Sequence, residues 1–157
     1  MDVIIGGHFM KVSKCLLYLL PLFSLFGCSQ TEQIKEKQDE EVVEISHDYS
    51  EVQEYELMWE TMFDVDSQQY YVYFYSTSCN HCEELKNYII EKAISNGNIY
   101  FIKGSNKDQI GNDPNMSKYA ENPGDIWILG YPSLLQISNK KCTKNLAGTV
   151  QIKGELK

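Results

Sequence analysis

The chain has 157 residues, 43% of them hydrophobic and 23% charged, with 10 glycines and 4 prolines. This excludes a collagen-like or wholly low-complexity polypeptide and leaves room for one modest globular domain. Its 14 basic residues are all lysine and stand against 22 acidic ones, a net charge of -8, which argues against a nucleic-acid partner.

Lys11 and Lys14 precede an uncharged run of 13 residues from Cys15 to Gly27, short of the about 20 that a membrane-spanning helix needs. A basic start, a short apolar stretch and a small residue at its end describe a secretory signal peptide over residues 1–27. Leu25-Phe26-Gly27-Cys28 resembles the bacterial lipoprotein box, in which the cysteine becomes the lipid-carrying first residue, although Phe26 is bulkier than the usual occupant. The stretch from Met10 already completes such a signal, so translation from Met1 or from Met10 fits equally. Two acyl chains on Cys28 would hold the protein stably on the membrane. The expected location is therefore the extracytoplasmic face of the cell membrane, where disulfides persist. The alternative is an uncleaved signal anchor in which Cys28 carries nothing. Acid is concentrated just beyond: residues 28–66 hold 13 acidic side chains and 2 lysines, whereas residues 67–157 hold 8 and 10. Residues 28–49 are read as an acidic solvated linker rather than a recognition tail.

The folded domain is expected over 50–157. Ser50 and Gln53 fit a capping box, and Val52, Tyr55, Met58, Trp59, Met62 and Phe63 recur at helical spacing, predicting an amphipathic helix over 51–63. Tyr70 to Tyr75 is an aromatic and β-branched run that reads as a buried strand. It leads directly into Cys79-Asn80-His81-Cys82. Leu85, Ile89, Ile90, Ala93 and Ile94 then predict a helix closed by Asn96-Gly97, and residues 99–102 a second buried strand. The cysteine motif thus sits at a strand-to-helix junction inside a β-α-β unit, which implies parallel strands. Residues 103–125 are polar, with a weak helical patch at 117–122. Residues 134–137 and 142–146 predict an antiparallel pair turning at Asn139-Lys140-Lys141.

Two cysteines three apart at a helix start can close a small disulfide. The free N–H groups and dipole there favour the thiolate of the first, which makes Cys79 the nucleophile and Cys82, one turn in, the resolving thiol. His81 adds a group able to donate a hydrogen bond or carry positive charge beside the sulfur. Zinc would need four ligands; the exported chain offers only His47, Cys142 and scattered carboxylates, so no metal is assigned. Cys142 reads as a buried strand residue, Cys15 belongs to the signal, and His8 and His47 have no companions.

Strand, C-x-x-C, helix, strand and then Gly130-Tyr131-Pro132-Ser133 before an antiparallel pair resembles the thioredoxin-like superfamily. The aromatic strand and the serine before the motif look most like thioredoxin-like lipoproteins and accessory proteins of Gram-positive bacteria. The resemblance implies an α/β fold with a central mixed sheet flanked by helices. It also implies a cis proline at Pro132 opposite the cysteines, and a Tyr131 backbone that pairs with an extended substrate by strand addition. It implies thiol-disulfide exchange without a cofactor, with exported cysteine-containing proteins as substrates and a membrane or extracytoplasmic redox partner. His81 in place of proline is similar to oxidases and isomerases. Three departures stand out: Tyr73 where many members keep a buried acid, Ser78 where a tryptophan is usual, and room for barely one turn of the final helix near Ile152. Two alternatives remain at this point, a reductase fed by a membrane electron carrier and a non-catalytic binding lipoprotein whose disulfide only staples the fold.

Overall fold

The computed structural model describes residues 45–106 and 108–157. The proposed signal, Cys15, Cys28 and most of the acidic linker lie outside these residues. Four strands, β1 (Gln69–Tyr75), β2 (Ile99–Lys103), β3 (Ser133–Ser138) and β4 (Lys141–Ala147), form one sheet in the order β2-β1-β3-β4. β1 and β2 are parallel, β1 and β3 antiparallel, β3 and β4 antiparallel. Helix α1 (Asn80–Asn96) connects β1 to β2, and a short α2 (Thr149–Glu155) ends the fold. This mixed sheet, with its C-x-x-C helix after the central parallel strand, is the thioredoxin-like α/β arrangement that the motif implied.

β1 is central, and this accounts for its composition. From Tyr70 onward every residue but Tyr71 is buried, so both faces of the strand need apolar side chains. Tyr73 and Tyr75 pack toward α1 with Leu85, Ile89, Ile90, Ala93 and Phe101. Tyr70, Val72 and Phe74 pack on the opposite face with Met62, Phe63, Ile126 and Ile128. α1 buries Cys82, Leu85, Ile89, Ile90 and Ala93 along one stripe and stops where Gly97 enters the left-handed region at φ 66°, its N–H donating to Ala93 O at 2.8 Å.

The helix expected over 51–63 does not form. Two 3-10 turns, Tyr49–Tyr55 and Trp59–Thr61, flank an extended stretch. The edge of β2 captures that stretch: Glu56 bridges to Phe101, and Leu57 N–H donates to Phe101 O at 2.8 Å. Val52 fills the α1 side of the sheet while Met62 and Phe63 fill the other, a division that one straight helix could not make. The capping box is Asp48 with Glu51, two residues earlier than Ser50 with Gln53. The polar stretch behaves similarly, forming turns at Pro114–Ser117 and Pro123–Asp125 in place of a patch at 117–122. Buried Ser117 pins it by accepting from Trp127 N at 2.8 Å and donating to Trp127 O at 2.9 Å.

The last helix begins at Thr149, earlier than expected, and is still short. Ile152 and Leu156 are buried against the α1 side, and the Tyr49–Tyr55 turn completes the cover of that face with Val52, Tyr49 and Tyr55. The turn between β3 and β4 places Asn139 and Lys140 at φ 49° and 60°.

Candidate active site

Cys79 is the residue that caps α1. Its backbone is extended, and its Sγ accepts the Cys82 N–H at 3.1 Å. The same helix turn brings the two Cα atoms to 5.2 Å, and the pair is joined as a disulfide, within the usual Cα range for such a bridge. Cys79 is half-buried whereas Cys82 is only 1% exposed, so an incoming sulfur reaches Cys79 alone. Ser76 and Ser78, their hydroxyls 3.0 Å apart, shape the entry to the helix, and Cys79 N–H donates to Ser76 O at 3.2 Å.

Across from the disulfide, Tyr131-Pro132 is a cis peptide. The Tyr131 carbonyl oxygen lies 3.4 Å from Cys79 Sγ. Pro132 is buried, its carbonyl accepts from Gly148 N–H at 3.0 Å, and Ser133 Oγ donates to Gly130 O at 2.7 Å. The structure therefore brings Cys79, Cys82, Tyr131 and Pro132 together. His81 is more peripheral. Its side chain is 71% exposed, its Nδ1 is 3.2 Å from Glu84 Oε2, and it lines an open groove with Glu84 and residues 147–151. In this oxidised form its ring is paired with that carboxylate rather than with a sulfur.

Beneath Cys82 lie three phenols. Tyr49 Oη donates to Cys82 O at 3.4 Å, and its ring stacks on Tyr75 with centroids 3.8 Å apart. Tyr75 Oη donates to Glu56 Oε1 at 2.8 Å. Tyr73 is fully buried, and its hydroxyl faces the Tyr49 and Tyr75 phenols without a well-formed hydrogen bond. Burial, the largest cause, pushes Tyr49 up to about 12 and raises Tyr73 and Tyr75 further, so these groups stay protonated at neutral pH. They can donate hydrogen bonds there but cannot serve as bases.

Sequence reasoning missed Tyr49, which it left outside the domain's first element, and Asp108, which it placed in a polar loop. Tyr49 meets the Cys82 carbonyl and Asp108 accepts from the Tyr131 hydroxyl; both come from distant positions in the chain, and no local pattern announces such a contact. Cys142 sits in the core, as its strand position suggested, and burial pushes its thiol up to about 12. Among the described residues, no three His, Cys, Asp or Glu side chains group as a metal site, and no helix is long and apolar enough to cross a membrane.

No protein-family model and no curated protein sequence matches the chain. Solved structures that resemble it include thioredoxin f2 of Chlamydomonas reinhardtii, at 15% identity over 64% of this chain and 88% of that one, TM-score 0.41. Oxidized mitochondrial thioredoxin 3 of Saccharomyces cerevisiae matches at 12% identity over 64% and 88%, TM-score 0.42. Oxidised thioredoxin of Plasmodium falciparum matches at 13% over 62% and 86%, TM-score 0.40.

Proposed function

We propose that this chain is a thiol-disulfide oxidoreductase that exchanges disulfides with exported proteins, tethered to the extracytoplasmic face of the membrane through a lipid on Cys28. The observation that carries the catalytic reading is the asymmetry of the pair: Cys79 is accessible at the start of α1 and Cys82 is buried one turn inside. A substrate thiolate attacks Cys79 Sγ, the Cys79–Cys82 bond breaks, and Cys82 leaves as thiolate. A second substrate thiolate then attacks the mixed disulfide at the substrate sulfur, and Cys79 leaves. Two electrons pass from substrate to protein, and the substrate gains the disulfide. Reduction of a substrate disulfide is the same sequence reversed.

The direction follows from what stabilises the reduced form. Cys82 N–H already points at Cys79 Sγ, and that bond becomes charge-assisted when Cys79 is a thiolate, worth roughly 1.5–3 kcal/mol. The Tyr131 carbonyl on the same sulfur favours the neutral thiol only through a weak S–H donor. The amide outweighs the carbonyl, and a stabilised dithiol makes the disulfide the stronger oxidant. We therefore place the protein on the oxidising or isomerising side, with exported cysteine-containing proteins as substrates and a membrane or extracytoplasmic redox partner. Equilibration with glutathione buffers tests this: the expected potential is less negative than the about -270 mV of thioredoxin, and a value at or below it overturns the oxidising role. Labelled fatty acid on the wild type, lost in Cys28→Ala, tests the anchor separately; no label on the wild type rejects it.

A further inference from the structure

Tyr131 supplies the backbone that faces Cys79, and its side chain is clamped at some distance from that backbone. Its hydroxyl donates to Asp108 Oδ2. The same carboxylate accepts from Ser105 N–H at 3.2 Å through Oδ2 and from Ser105 Oγ at 2.7 Å through Oδ1. Asp108 is thus fixed by three donors, and the turn that carries it closes with Asp108 N–H donating to Ser105 O at 3.4 Å. Ser105 follows Gly104, whose N–H donates to Tyr75 O at 2.6 Å, so the turn is built on the end of β1.

The Tyr131 ring lies directly on Gly104. A β-carbon there would fall 2.5 Å from the ring and its hydroxyl. Ring and hydroxyl are therefore held from two sides, by absence of a side chain at 104 and by the carboxylate at 108. The neighbouring backbone is tied elsewhere, at Pro132 O by Gly148 and at Gly130 O by Ser133. The Tyr131 side chain adds a further tie to the segment through Asp108.

We propose that Asp108 is a positioning residue of the dithiol site, holding Tyr131 so that its carbonyl faces Cys79 and its backbone is presented to an extended substrate. The inference rests on the disulfide-exchange reading above for its substrate, but the effect of the Tyr131 clamp on Cys79 does not need turnover to be seen. Loosening Tyr131 has two consequences: a peptide that pairs with its backbone finds a poorly ordered edge, and the oxygen that opposes negative charge on Cys79 Sγ withdraws.

The test combines Asp108→Ala, Asp108→Asn, Tyr131→Phe and the double variant Asp108→Ala/Tyr131→Phe. The probe is a synthetic extended peptide carrying one disulfide, and iodoacetamide alkylation of Cys79 in the reduced protein is measured in parallel. For Asp108→Ala the peptide KM rises about tenfold while kcat changes by less than about twofold. Tyr131→Phe gives the same rise and the double variant adds nothing further, because both remove one interaction. Asp108→Asn keeps an oxygen acceptor for Tyr131 Oη and recovers most of the KM. Alkylation of Cys79 speeds up by the same factor in Asp108→Ala and Tyr131→Phe. If the wild type exchanges no disulfide but alkylation still responds in this way, the functional reading fails and the clamp stands. If alkylation and peptide KM are unchanged and only thermal stability falls, Asp108 is a loop tether and the proposal is overturned.

Discussion

Tyr73 lies in the middle of β1, fully buried, with a hydroxyl that makes no well-formed hydrogen bond and faces the Tyr49 and Tyr75 phenols. Leaving such a group unpaired costs roughly 1–3 kcal/mol, whereas removing it leaves an apolar ring in an apolar site. Tyr73→Phe is therefore expected to be neutral or to raise stability by about 1 kcal/mol in urea unfolding; a loss of that size would show that the hydroxyl is bonded in the folded chain. The residues whose chemistry is local were legible from sequence: Cys79 and Cys82 share one helix turn, and Gly130-Tyr131-Pro132-Ser133 stands just before its strand. Tyr49 and Asp108 were not, because Tyr49 meets Cys82 from 33 positions away and Asp108 meets Tyr131 from 23. His81 was legible as a residue of the motif, but its pairing with Glu84 depends on the rotamer chosen at the helix surface.

Elements with a strong local signal came out close to expectation. α1 has an apolar stripe and a glycine stop, β1 to β3 each carry a short apolar run, and the more polar β4 follows a tight turn from β3. Gly97 ends α1 at a positive φ with open space around it, so only the backbone conformation opposes a side chain. Gly97→Ala should cost about 1 kcal/mol in urea unfolding through that strain while leaving the reduction potential unchanged; an unaltered midpoint would mean that the helix end relaxes to another conformation. The segments that departed from expectation are those whose partners are distant. The stripe from Val52 to Phe63 is real, but its residues serve opposite faces of the sheet, and β2 draws the backbone at 56–57 into a bridge. Tertiary hydrogen bonding overrides helical periodicity there. The polar stretch ending near Asp125 is organised by Ser117, with two hydrogen bonds to the Trp127 backbone, and by Asn145, with one, which no periodicity encodes.

Across the whole fold, the sheet separates two apolar clusters, one under α1, α2 and the Tyr49–Tyr55 turn and one holding Met62, Phe63, Ile126 and Ile128. Ionisable groups are embedded in both. Burial is the main cause that raises Cys142 from 9.0 to about 12 and Tyr49 and Tyr70 from 10.0 to about 12. In each case the neutral form is favoured by folding, so above pH 9 the folded chain holds more protons than the unfolded one. Stability is complete below about pH 9 and falls as pH rises toward about 12. Urea midpoints measured from pH 8 to 11 should decline through that window, and a flat profile would contradict the burial of these groups. The central claim is that the two cysteines are unequal, one exposed to attack and one reserved to resolve it. Its most direct measurement is mixed-disulfide trapping on a non-reducing gel, with reduced Cys82→Ala and Cys79→Ala each mixed with a disulfide-bonded peptide. Cys82→Ala should accumulate the mixed disulfide through Cys79, and Cys79→Ala should accumulate almost none. Equal trapping by both variants, or none by either with slow alkylation of Cys79 at neutral pH, would contradict the account and identify the bridge as a structural staple.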